Sequence, residues 1–409
     1  MNYTFIGKTF SRLGLVSFGG PTAHIGYFRD EFVKEKKWLL EDDFSSLLAI
    51  CQALPGPTSS QMVFSIGLKK GGFLAAYIAL IAFSFPSVFL MILLGLGYSL
   101  NLLFLSQSTI TAVSVVAIPV VGMAVFSMFR NFCISNFEKI CFFVLTILLT
   151  FFELFYYPAI ILIASWLAGA SFYKKSDMNI KTQPLIENIN KYLVYGSLIA
   201  GIFVFIQLNF LLVGSIYPSL KNLFNSGFLI FGGGHVVLPL LHDWFVDQEI
   251  ISSNEFFLGY GFAQAIPGPL FSFASYLGTV ASGPLVSEKI LMGLVYLFAL
   301  YGSTLFLTPL ALYMWVSIEK IPVFLSGIKA VNIAVSAILC SCFLKLVLPS
   351  IITGYDSLVF LGMSVFLIYW FKAPIWGIVI LLGAVGYGFG MISGLSLIHI
   401  LTLPTITGV

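Results

Sequence analysis

Long stretches of this chain carry no charge at all. Leu74–Leu96 and Leu358–Phe371 are continuous apolar runs, the second closed by Lys372 and Pro374. A run of roughly 20 apolar residues is long enough to cross a bilayer as a helix. Strands of a membrane barrel would instead alternate polar and apolar residues over about ten positions, so the runs predict helices. Composition closes the other routes. Of the 409 residues 59% are hydrophobic and 9% charged, against about a quarter charged in a soluble domain. Such a chain has too little polar surface to cover itself in water, and too much apolar material to stay disordered. The expectation is an all-α polytopic membrane protein with about nine to thirteen membrane helices by length. The start, Met1–Gly20, is amphipathic and has no cleavable-signal pattern, so the first true span is expected to direct insertion.

The first 70 residues differ from the rest. They hold 8 of the 20 Lys and Arg residues and read as short helices over about 3–17, 22–37, 42–54 and 58–69. Apolar runs follow at about 73–100, 108–129, 137–153 and 156–172. A polar stretch, Tyr173–Lys191, reads as a linker in water, and a further span follows at about 192–216.

Then the opening pattern returns. Phe18-Gly19-Gly20 recurs as Phe231-Gly232-Gly233, Asp30-Glu31-Phe32-Val33 as Asp243-Trp244-Phe245-Val246, and Gln52-Ala53-Leu54-Pro55-Gly56-Pro57 as Gln264-Ala265-Ile266-Pro267-Gly268-Pro269. The offsets are 213, 213 and 212. Three blocks at one offset make an internal repeat, and four apolar runs follow the second set as they follow the first. The expected organisation is a first membrane repeat over 1–172, a linker plus one extra helix over 173–216, a second repeat over 217–392 and a tail over 393–409. One unmatched span would invert the second repeat relative to the first, as in secondary transporters. Parallel halves are the alternative while the crossing count of the short helices is open.

The chemistry-bearing residues cluster at the repeated blocks. Each Pro-Gly-Pro breaks a helix at a matching position of the two halves, the strongest sequence pointer to a transport site. The helix that starts after each break offers free N–H groups and the positive end of its dipole to an anion. Thr58, Ser60 and Ser272 lie just past the breaks and Gln52 and Gln264 just before them, all able to donate hydrogen bonds. Arg29, one of three arginines, could grip an oxyanion with its fork or simply pair with Asp30 or Glu31. Gly19, Gly20, Gly232 and Gly233 read as hinges or close-approach points beside His235. A structural kink is the competing reading of each break. From Cys51 to Lys69 and from Phe256 to Ser287 there is no Asp or Glu, so a cation site, which wants carboxylates, is disfavoured there. The five cysteines have no metal or disulfide spacing, and no motif for a metal, cofactor, nucleic acid or hydrolytic enzyme is present.

At these blocks the sequence resembles the chromate ion transporter family in its long, two-halved form. The likeness rests on Phe18-Gly19-Gly20-Pro21, Arg29-Asp30-Glu31-Phe32-Val33 and Gln52–Thr58, with Phe231–His235, Val237–Leu241 and Gln264–Leu270 in half two. It departs where Pro21 stands against a third glycine and Ile250 against Trp38. The resemblance implies a secondary transporter exporting chromate across the bacterial inner membrane and so conferring resistance. Sulfate or another inorganic anion is the alternative substrate; an intramembrane enzyme on a lipid-linked substrate is the alternative of another class. A coupling proton and a homodimer are compatible with it.

Overall fold

The computed structural model describes residues 2–103, 105–152, 158–171, 189–211, 217–231, 233–318 and 321–402. Among them every regular element is helical. Gly232, Glu153 and most of the polar linker lie outside the described residues.

Each half opens with two helical hairpins. In half one, helix Tyr3–Val16 is capped by the Asn2 side chain, which accepts from Thr4 N–H at 3.0 Å. The chain turns at Gly19 and Gly20, both at positive φ (96° and 75°), a region that costs glycine nothing. It returns as Gly20–Arg29 and a π-helical turn, Asp30–Glu35. Phe10 meets Phe32 and Phe5 meets Trp38 across the pair. The second hairpin enters as Glu41–Ala53, reverses at Pro55-Gly56-Pro57, and leaves along 58–70. Lys69 pairs with Asp43 at 2.8 Å at its mouth, and Cys51 lies 3.6 Å from Ser65 near its tip. The segments flanking Pro-Gly-Pro therefore fold back on each other instead of forming one interrupted span. The run Thr58–Ser99 breaks again at Gly71 and Gly72, after which 73–99 packs back on 58–70, with Gly67 closing on Ala75, Ala76 and Ala79.

Half two repeats this plan. Helix Tyr217–Gly227 is followed by Gly234–Val236 and Val237–Phe245. Ser253–Ala265, opened by a Ser252/Glu255 capping box, leads to the second Pro-Gly-Pro. The chain returns through Leu270–Ser272 and Phe273–Val280. Val286–Leu300, the π-turn Ser303–Leu307 and Thr308–Ile318 form the counterpart of 73–99. Equivalent glycines make equivalent contacts: Gly14 lies against the carbonyl of Phe83 and Gly227 against that of Leu300.

The two long helices run antiparallel, with Ser84 opposite Tyr301 and Ile92 opposite Gly293. Hairpin one has its mouth beside the start of 73–99, through Gly67 and Ala75. Hairpin two has Thr279 against Gly95, near the far end of the same helix. The hairpins thus enter from opposite ends, and their tips flank the crossing of the long helices, Gly56 against Ser303 and Gly268 against Ser87.

The remaining helices interlock the halves. Pro158–Ser171 packs on Pro322–Cys342 of half two, with Gly169 against Ser326 and Ala330. Ile375–Thr402 packs on Gln107–Ser114 of half one, with Gly386 against Ser108 and Ala112. Its backbone stays helical to Thr402, into the segment expected to be a tail. The unmatched helix Lys191–Ile206 lies at the edge, seated by Gly201 on Phe306.

By length and composition four described helices can cross a membrane, or five with the bent pair Val286–Leu300 and Ser303–Trp315. That is fewer than the nine to thirteen expected. Helices such as Asn136–Phe152, Pro158–Ser171 and Tyr355–Tyr369 have only 17, 14 and 15 residues.

The glycine seats generate a test. Gly14→Leu and Gly227→Leu should each lower thermal stability in detergent by several degrees, since overpacking a tight contact costs about 1–3 kcal/mol. Gly26→Ala and Gly362→Ala, whose added methyl meets nothing within 4 Å, should leave the melting temperature unchanged or slightly raised.

Candidate functional site at the hairpin tips

Both tip glycines adopt positive φ, 128° at Gly56 and 105° at Gly268. Each donates its N–H across to the other half. Gly56 N–H bonds Ile230 O at 2.6 Å, and Gly268 N–H bonds Ser17 O at 2.8 Å. Ser17 and Ile230 are themselves equivalent, each preceding a Phe-Gly-Gly turn. Ser17 O also accepts from His24 Nε2 at 3.1 Å. Each tip is therefore held by the hinge of the opposite half. No side chain can be added at Gly56 without collision, because a Cβ would strike Ser303 Oγ and stand 2.6 Å from Gln61 Nε2. At Gly268 a Cβ would stand 2.9 Å from Ser87 Oγ.

Polar side chains tie tip one to the two long helices. Gln61 Nε2 donates to Pro55 O at 2.8 Å, and Ser65 Oγ to Gln61 O at 2.7 Å. Ser60 Oγ donates to Tyr301 Oη at 3.3 Å, which lies 3.0 Å from Ser84 Oγ, while Ser87 Oγ donates to Ser84 O at 2.9 Å. Thr58, Ser60 and Ser272 are buried. The helices starting at Thr58 and Leu270 have no side-chain cap, so their first-turn N–H groups and dipole ends are available to an anion. No Asp, Glu, Lys or Arg lies within either hairpin's tip region.

Other expected residues stand elsewhere. Gln264 is half-buried with its Nε2 unpartnered, whereas Gln52 is exposed. Arg29 is at the mouth, 2.8 Å from Glu41 instead of paired with Asp30 or Glu31. About 20 Å of helical rise separates it from the tip. Glu31 is buried and pairs with Arg12 and Lys36. Gly19, Gly20 and Gly233 form the hinge turns, with φ of 159° at Gly233, and His235 Nδ1 lies 2.7 Å from Tyr260 Oη. Sequence reasoning missed Ser84, Ser87, Tyr301 and Ser303. Their signal was the interruption of apolar runs by Ser84-Phe85-Pro86-Ser87 and Ser303-Thr304, which propensity alone does not separate from a helix kink.

Beside tip one lies an apolar cavity of about 450 Å³, lined by Leu54, Pro55, Trp166 and Phe231 among others. Its walls are almost wholly apolar. Among the described residues no group of three or more His, Cys, Asp or Glu could hold a metal ion, and the cysteines are free.

Comparison with known proteins follows the same outline. The family described as chromate transporter matches residues 5–170 and 218–389, one stretch per half. An uncharacterized transporter of Methanocaldococcus jannaschii is 28% identical over 282 residues, covering 68% of this chain and 69% of that protein. The chromate transport protein of Pseudomonas aeruginosa is 25% identical over 349 residues, covering 81% and 78%. That of Cupriavidus metallidurans is 23% identical over 286 residues, covering 67% and 66%. No solved structure matches the chain. With both halves matched in register with the repeated hairpins, the chain belongs to the chromate transporter family.

Proposed function

We propose that the chain is a secondary transporter that exports chromate across the bacterial plasma membrane and so confers resistance to it. The observation that carries this reading is the pair of uncharged hairpin tips held against each other's hinges, each opening a helix N-terminus inside the bundle. Relatives named as chromate transport proteins support the substrate. Donors without competing carboxylates suit a tetrahedral dianion. An inside-negative potential favours its outward movement by about 4.6 kcal/mol per 100 mV, twice the single-charge value. Sulfate has the same shape and charge and is expected to compete. In this reading Pro55–Pro57, Pro267–Pro269, Thr58, Ser60, Gln264 and Ser272 frame the site. Arg29 contributes at the mouth, and Gln52 lies outside the tip.

The halves are proposed to be inverted across a multi-pass bundle. The antiparallel long helices and the opposed hairpin mouths support this. Hairpin one's mouth carries Lys69 and Lys70, with Lys34, Lys36 and Lys37 in the preceding hairpin, and the positive-inside rule supports a cytoplasmic position for it.

Three outcomes are expected. Single cysteines replacing Lys139 and Lys345 should label from opposite sides in sealed vesicles; labelling from one side would refute inversion. Reconstituted protein should move chromate faster at an imposed potential favouring its exit from the cytoplasmic face, and added sulfate should slow it. Flux of a metal cation without anion flux would overturn the functional reading. Gly56→Ala and Gly268→Ala should each cut chromate flux at least tenfold, since a positive-φ side chain costs on the order of 1–3 kcal/mol even before the collisions. Unchanged flux in both would remove the tips from the pathway.

A further inference from the structure

The two tips are related by the repeat, yet they are chemically unequal. After its proline turn, tip one continues as Thr58-Ser59-Ser60-Gln61, and tip two as Leu270-Phe271-Ser272-Phe273. Tip one starts an α-helix directly, whereas tip two passes first through a 3-10 turn, Leu270–Ser272. The walls facing them differ as well. Ser87, opposite Gly268, spends its hydroxyl hydrogen on Ser84 O at 2.9 Å. Ser303, opposite Gly56, is fully buried and its Oγ has no partner. A buried hydroxyl left without a partner costs about 1–3 kcal/mol, and Ser303 carries that cost directly against Gly56, beside the uncapped start of the helix at Thr58. It sits in the π-turn Ser303–Leu307, and π-turns inside helices are frequent at functional sites. Thr304, next in that turn, is also buried with an unpartnered hydroxyl. Tyr301, one residue before the bend, joins Ser60 of tip one to Ser84.

We infer that the transported oxyanion is bound at tip one alone, between the start of the helix at Thr58–Ser60 and the half-two wall carrying Ser303, while tip two is a structural counterpart that holds the hinge. The inference rests on the proposed anion transport and narrows its site. The bound anion would take N–H donors from half one and a hydroxyl donor from half two, so both halves touch it although only one tip does. No charged group contributes, so the anion is recognised by donor geometry alone.

The test uses full-length protein reconstituted in liposomes, with chromate flux measured over a range of concentrations. Sulfate binding to the detergent-purified protein is measured in parallel. Ser303→Ala breaks no hydrogen bond in the fold, so a purely structural role predicts no change. We expect it to raise KM for chromate, and Kd for sulfate, about tenfold while Vmax stays within threefold. Ser87→Ala, whose hydroxyl is already spent on Ser84 O, should leave KM within twofold, and Ser272→Ala should raise KM by much less than Ser303→Ala does. Equal KM increases from the Ser272 and Ser303 variants would overturn the one-tip assignment in favour of a shared site. Active wild-type protein with unaltered KM and Kd in Ser303→Ala would also overturn it, leaving transport itself standing. Wild-type protein that neither binds sulfate nor moves chromate would end both readings.

Discussion

Two backbone hydrogen bonds organise the centre of this molecule: Gly56 N–H to Ile230 O and Gly268 N–H to Ser17 O. Inside a bilayer an unsatisfied backbone group costs several kcal/mol, and irregular backbone survives there only when protein meets its needs. The tips of the two hairpins are irregular backbone. Their partners are carbonyls just past the ends of helices, where no intrahelical donor reaches. Each half therefore repairs a defect in the other, and the arrangement requires glycine at both positions because the approach leaves no room for a Cβ.

Much of the fold was legible in the sequence. The 213-residue offset identified the halves, and the short helices expected at 3–17, 42–54 and 58–69 match Tyr3–Val16, Glu41–Ala53 and the 58–70 arm. A break at Pro-Gly-Pro is visible because proline cannot continue a helix. Whether the chain then continues or reverses is decided elsewhere, by Cys51 against Ser65 and by the Asp43–Lys69 pair, and periodicity is silent on both. Glycine was legible as a hinge residue, but the identity of its partner carbonyl was not.

The site itself was legible only in part. Thr58, Ser60 and Ser272 follow the breaks directly and are buried near the tips as the pattern suggests. Arg29 attracted attention by its rarity, and rarity says nothing about which acid lies within reach; Glu41 does, twelve residues on. Tyr301 and Ser303 arrive from an apolar helix more than 240 residues after Pro57. A contact across that separation has no local signature, since it depends on how two helices cross and not on what either contains.

The exchange of terminal helices between the halves also imposes an order on biosynthesis. The small-residue face of Gln107–Ser114 is covered by Ile375–Thr402, through Gly386 against Ala112, and 274 residues separate those two positions. At about 5–20 residues per second, a ribosome needs roughly 14 to 55 s to deliver the cover. For that interval the newly inserted first half presents an unfinished helix face to lipid or to the insertion machinery. Completion of the bundle is thus a late docking step, and premature release of the nascent chain would leave the first half without its lid.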